Sequence, residues 1–130
     1  MKLFKYFIKP KTEISYHDVM FKCIAKYENN KRKIAQTIID DIIYTHLDSD
    51  LTMKEYIFQL MVITENRISY TKMIKDDFEQ GLIMLMLQTT ILQNMEQKNA
   101  INDKIMECTA GINYYNFLLE ILYYLNDNLH

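Results

Sequence analysis

Tryptophan is absent, proline occurs once, and glycine and cysteine occur twice each in 130 residues. So few turn-forming residues leave little to punctuate hairpins or short strands, which favours long helices over sheet. Cys23 and Cys108 lie far apart and fit no metal pattern, so they read as small buried hydrophobes in a reducing compartment. Lys5 and Lys9 break any secretory apolar segment in Met1–Pro10, no Asn-x-Ser/Thr acceptor occurs, and no apolar tail follows Leu125. These absences lead us to expect an intracellular chain without a membrane anchor.

Charge is nearly balanced, with 15 Lys/Arg against 17 Asp/Glu, but unevenly placed. Residues 1–34 carry nine cations and three anions (+6), and the remainder six and fourteen (−8), which sum to the net −2. A basic third can serve an acidic partner or nucleic acid, but a solvated lysine-rich arm over 1–14 and a charged loop at Lys31-Arg32-Lys33 account for it. The length suits one domain, here residues 15–130.

The stretch with the most apolar character runs from Asp76 to Met95. Asp77 has the chemistry of an N-cap, and Gln80 completes a capping-box spacing. Leu82 to Leu87 are all apolar, so the helix over about 77–95 has no solvent-facing stripe in its first half. Such a helix is expected to be buried, and six residues are too few to cross a bilayer, which needs roughly 20. The pattern therefore predicts a central hydrophobic helix sheathed by the others. On that reading Leu85→Ala leaves a cavity costing about 2–5 kcal/mol.

Around it the spacing predicts six further helices. With Pro10 unsuited to a helix interior, 1–14 is expected to be extended, and Ser15 caps a first helix to about Tyr27. Its inward arc holds Tyr16, Met20, Cys23 and Tyr27. A second helix, about 32–47, turns Ile34, Ile38, Ile39, Ile42 and Ile43 inward. Asp48-Ser49-Asp50 is a break; as a calcium loop it lacks the required Gly and Glu, so Asp50 is read as the cap of a third helix, about 51–66. That helix sets Met53, Ile57, Leu60 and Met61 on one face. A short fourth follows over about 67–75, a sixth begins at Asn99 or Asn102 and ends at Gly111, and Asn113 caps a seventh. The seventh carries Tyr114, Phe117, Leu118, Ile121, Leu122, Tyr124 and Leu125 on a wide apolar face.

Catalytic chemistry finds little support. His17, His46 and His130 share no ligand spacing with one another or with a cysteine, and no phosphate-cradling glycine loop exists. Asp40/Asp41 and Asp76/Asp77 read as surface charge and cap. Glu65 and Glu120, on apolar-rich helices, read as surface or snorkelling glutamates. No catalytic residue, metal or cofactor is expected, and no helix is basic enough to enter a nucleic-acid groove. What remains is binding by surface shape. Phe21 and Met106 lie about 140° from the centres of their helices' inward arcs, which makes them candidates for a dimer or partner face.

An all-α bundle of about seven helices around an inner hydrophobic one resembles the Bcl-2 fold. The stretch Phe78-Glu-Gln-Gly-Leu-Ile-Met-Leu-Met-Leu-Gln-Thr-Thr and the closing Asn116-Phe-Leu-Leu-Glu-Ile-Leu-Tyr-Tyr-Leu-Asn-Asp-Asn-Leu are similar to poxvirus Bcl-2-like proteins of the virulence-factor type. The likeness covers residues 75–130, and the first half only in helix count. It implies a non-enzymatic protein of the host cytoplasm that binds host signalling or apoptosis proteins. The family's cellular relatives carry Asn-Trp-Gly-Arg where this chain has Glu79-Gln80-Gly81-Leu82. Gly81 matches, but Leu82 replaces the arginine that would pair with a death ligand. The resemblance therefore implies first an antagonist of innate signalling towards NF-κB or interferon genes, a homodimer in which the first and sixth helices meet. Its alternative is an apoptosis inhibitor whose groove is lined by Ile38, Ile42, Gly81, Leu82 and Leu85. An accidental likeness, in a phage or bacterial helical regulator, is the third reading.

Overall fold

The computed structural model describes residues 10–88 and 94–130, with side chains from residue 16. Four helices and no strand occur among the described residues. They are α1 (Pro10–Ala25), α2 (Asn29–His46), α3 (Met53–Gln88) and α4 (Met95–Asn128). The all-α expectation holds, while the seven-helix count does not. The third, fourth and central helices expected from the sequence are one helix, α3, and the sixth and seventh are one helix, α4.

The reason lies in residues that permit a helix end without forcing one. Asp77 is an exposed member of α3, so its carboxylate decorates a helix surface instead of capping one. Gly81 and Gly111 have no positive φ, and both sit inside helices. Glycine ends a helix only when the chain takes up its left-handed freedom. At the other end, α1 takes in residues 10–14, which the sequence had suggested were part of an extended arm. Proline is well suited to the first position of a helix, where its missing N–H would have had no partner. Residues 1–9 of that arm, and 89–93 of the expected central helix, lie outside the described residues, as does the Ser15 side chain.

The chain divides into two compact units. The first takes the described residues through Val62 together with Leu118–His130, and the second is Ile63–Phe117. In the first unit α1, α2, the first turns of α3 and the last turns of α4 each contribute an apolar strip. Tyr16, Met20 and Cys23 come from α1, and Ile38, Ile39 and Ile42 from α2. Met53, Ile57 and Met61 come from α3, and Ile121, Leu122 and Leu125 from α4. All twelve are buried, and each contributes about 1.5–3 kcal/mol of transfer free energy. The helical spacing identified all twelve. It misplaced Ile34, which is exposed, because Ala35 takes the buried position in that turn.

Short polar contacts fix the ends of this bundle. The α3 N-terminus is a capping box at Thr52: the Glu55 N–H donates to Thr52 Oγ1 at 3.2 Å, and the Thr52 N–H donates to Glu55 Oε1 at 3.2 Å. The spacing Thr52-x-x-Glu55 was present in the sequence and outranks Asp50 as the cap. Tyr56 Oη donates to Thr45 Oγ1 at 2.6 Å, tying α3 to α2, and Lys54 Nζ donates to the Leu129 carbonyl at 3.0 Å.

The second unit holds the remainder of α3 and the first part of α4, a helical hairpin. Here the expectation of a sheathed central helix is overturned. Ile83, Met84, Met86 and Leu87 are 50, 54, 59 and 77% exposed, and Leu82 and Leu85 are only half-buried. Two helices bury only the strip of each that faces the other. Thr64 and Ile68 are the buried side chains among the described residues of this unit.

Two stability predictions follow from this arrangement. Beyond the adjoining residues and the local helix backbone, no atom lies within 4 Å of a Cβ built at Gly81 or Gly111, so Gly81→Ala and Gly111→Ala should each stabilise the protein. The gain is about 0.5–1 kcal/mol each, read from urea midpoints; a loss at either site would mean that the helix is broken there. Leu122→Ala should cost about 2–5 kcal/mol in the same assay. Leu85→Ala, half-buried, should cost about 1 kcal/mol or less, and equal costs would place Leu85 in a closed core.

Candidate interaction surface

Polar chemistry in the first unit centres on the turn between α1 and α2. Tyr27, buried in the turn just past α1, donates its hydroxyl proton to Glu120 Oε2 at 2.7 Å, across 93 residues of sequence. Arg32 reaches back from α2, its Nε donating to the Tyr27 carbonyl at 2.8 Å and its Nη2 to the Ala25 carbonyl at 3.4 Å. These carbonyls lie where α1 runs out of partners, so Arg32 serves as a C-terminal cap. Lys26 Nζ sits 4.2 Å from the centre of the Tyr124 ring, a cation–π contact with α4.

The cluster keeps its acidic protons. Burial pushes the Cys23 thiol up from its usual 9.0 to about 11, with Lys26 pulling it down and Glu120 adding to the rise. Burial likewise raises the Tyr27 phenol well above its usual range, helped by the hydrogen bond to Glu120 and by the charges of Glu120 and Cys23. A thiol held protonated is a poor nucleophile and a poor metal ligand. The turn is therefore a fastening that holds α4 to α1. Among the described residues, no three His, Cys, Asp or Glu side chains converge as a metal set would.

The aromatic group at the other end of the bundle is also structural. His46 Nε2 lies 2.8 Å from the Leu51 carbonyl, and its ring meets Tyr56 edge-on at 5.4 Å and Tyr16 at 6.2 Å. It braces the α2–α3 connection.

The surface residues singled out by angle are indeed on the surface. Phe21 in the first unit is 72% exposed and Met106 in the second is 69% exposed. Of the groove candidates, Ile38 and Ile42 are buried in the interior of the first unit, so neither is free to line an open groove. Gly81 and Leu85 belong to the second unit and do share a site. With Met84 they face Gln97, Ala100 and Ile101 of α4 across an open, mainly apolar hollow of about 370 Å³. Leu82 is half-buried beside it.

What the periodicity missed is the surface around that hollow. From Gln80 to Met95 the sequence contains no charged residue. The described part of this stretch exposes Ile83, Met84, Met86, Leu87 and Met95, each by half or more. At 100° per residue the four on α3 point in widely different directions, so no single neighbouring helix can cover them. The signal was in the sequence as the run Leu82–Leu87, but burial was inferred where exposure is found. No helix of the described residues is long and apolar enough to cross a membrane.

Comparison of the chain with the sequence patterns of known families, with curated proteins and with solved structures finds no match.

The raised Cys23 and Tyr27 values imply a pH dependence whose sign is fixed. Both groups hold their protons more tightly folded than unfolded, so their contribution is complete below about pH 9 and is lost as pH rises from there. For Cys23 the loss runs from 9.0 to about 11. The urea midpoint should fall from about pH 8 to about pH 10.5, and fall less in Cys23→Ala. Tyr27→Phe should cost about 1 kcal/mol at neutral pH by leaving Glu120 without its donor; no loss would mean that water replaces the phenol fully.

Proposed function

We propose that this chain is a non-enzymatic protein that acts by stoichiometric protein–protein binding, with the hairpin of the second unit as its docking element. The observation that carries this reading is the exposure, by half or more, of Ile83, Met84, Met86 and Leu87 in a stretch of sequence without a charged residue. Large apolar residues exposed together in one short segment support an interaction role, whereas singly scattered ones do not. The fastening of Tyr27, Cys23 and Glu120 supports the same reading, because the most perturbed groups of the first unit are used for packing.

The partner class we propose is host innate-signalling proteins of the NF-κB or interferon pathways, bound in the host cytoplasm. This part rests on the resemblance of 78–90 and 116–129 alone. The fold gives it no independent support, since the sheathed central helix behind that resemblance is absent. The apoptosis reading is weaker, because two of its five groove residues, Ile38 and Ile42, are interior.

The test is a pathway reporter in transfected cells. Wild-type protein should suppress NF-κB or interferon-promoter output several-fold, and Ile83→Lys with Met86→Lys should abolish suppression at equal protein level. Wild type without effect removes the host-signalling proposal. Full suppression by the double variant removes the hairpin surface from it.

A further inference from the structure

The described methionines fall into two classes, and the classes follow the two units. Met20, Met53 and Met61 of the first unit are at most 9% exposed, whereas Met73, Met84, Met86, Met95 and Met106 of the second are all at least 50% exposed. Met1 lies outside the described residues. Other large apolar residues do not sort in this way, since the first unit also exposes Phe21, Tyr44, Leu47 and Phe58. Methionine alone among apolar side chains carries a thioether, whose sulfur lone pair is nucleophilic at any ordinary pH. Exposure therefore gives these five a chemistry that the neighbouring Ile83 and Leu87 lack.

We infer that Met73, Met84, Met86, Met95 and Met106 are a set of oxidation sites, through which a hydroperoxide turns the surface of the hairpin from apolar to polar and a sulfoxide reductase turns it back. At each site the sulfur lone pair attacks the outer oxygen of the hydroperoxide. An S–O bond forms as the O–O bond breaks, and the hydroxyl proton moves to the departing oxygen, which leaves as water or an alcohol. The thioether is oxidised to a sulfoxide and the peroxide is reduced. The return step takes two electrons and two protons from a pair of thiols, which end as a disulfide, and releases the oxygen as water. Met84 lines the open hollow together with Gln88 and Gln97, whose side-chain amides are donors of the kind a sulfoxide oxygen accepts from.

The division between the units decides what oxidation does. A sulfoxide is a strong hydrogen-bond acceptor, and inside the first unit's core it would be a buried polar group without a donor. The three methionines there are the covered ones, so the surface of the hairpin can be oxidised while that core stays closed. The remaining sulfurs belong to Cys23, which is buried, and Cys108, which is half-buried in the second unit. The chemistry is a property of the purified chain. Its consequence, that oxidation ends binding through the hairpin, rests on the docking role proposed above.

The test treats the purified full chain with hydrogen peroxide and follows each methionine by peptide mass mapping. The five should oxidise at least about tenfold faster than Met20, Met53 and Met61, whose sulfurs react only when the first unit opens. The treated chain should elute earlier from a phenyl column, and methionine sulfoxide reductases for both epimers should restore its retention. A chain carrying Met73→Leu, Met84→Leu, Met86→Leu, Met95→Leu and Met106→Leu keeps an apolar surface without its thioethers, so peroxide should leave its retention unchanged. Equal rates for the two classes overturn the inference. So does unchanged retention of treated wild type, or an equal shift in the five-leucine chain, which would assign the change to Cys108 or another group. A shift that the reductases do not reverse overturns the return step. None of these readouts uses a partner, so their failure leaves the docking proposal standing, and a chain without effect in the pathway reporter leaves the oxidation result standing.

Discussion

A helix can bury only those strips of its surface that neighbours cover, and the number of neighbours decides which apolar residues become core. In the first unit four helical segments meet, and the side chains of Met20, Cys23, Ile39, Ile57, Ile121, Leu122 and Leu125 are almost wholly excluded from water. In the second unit two segments meet, and residues as apolar as these remain half in solvent. The same physics that makes one half of the molecule a closed bundle makes the other a surface. The proposed binding role rests on that imbalance, since the chemistry of individual side chains points to packing.

Much of the first unit was legible in the sequence. Tyr16, Met20, Cys23 and Tyr27 recur at helical spacing because a four-neighbour environment demands a periodic strip, and the strip is visible without knowing the neighbours. Helix ends were much less legible. Asp77 and Gly111 have the chemistry of a cap and a terminator, but that chemistry is worth only about 1 kcal/mol, less than the hydrogen bonds of a continuing helix. Where the local signal was reciprocal, as in Thr52 and Glu55, it did mark an end, and a single capping residue did not. The Tyr27–Glu120 bond was invisible for another reason. Glu120 stood out on an apolar-rich helix, but nothing in a linear pattern links positions 93 residues apart.

The surface was half legible. Helical angle put Phe21 and Met106 outside, which is where they lie. The same reasoning failed at Leu82–Leu87, because a helix that is apolar all round carries no angular information. Periodicity says which side of a helix faces inward only when one side differs from the other. Composition then invited the inference of burial, and with it the picture of a rod enclosed by six others. The host-defence reading drew on that picture. It stands now on the likeness of two stretches of sequence, while the binding role stands on exposure, and the two are separable.

The residue types on the two sides support that separation. The first unit's core sets isoleucine at 38, 39, 42, 57 and 121, whose branched side chains have few rotamers, around the buried Met20, Met53 and Met61. The second unit's surface draws on methionine: Met73, Met84, Met86, Met95 and Met106 are all half or more exposed. Methionine has three rotatable bonds and a polarisable sulfur, so it loses little by adapting to whatever apolar shape is set against it. An exposed surface of pliant residues can fit more than one apolar shape. Such a surface pays for its breadth in side-chain entropy when it binds, about 0.5–1.5 kcal/mol for each methionine held still. Binding is therefore expected to be shallow and reversible unless the partner orders several of these side chains at once.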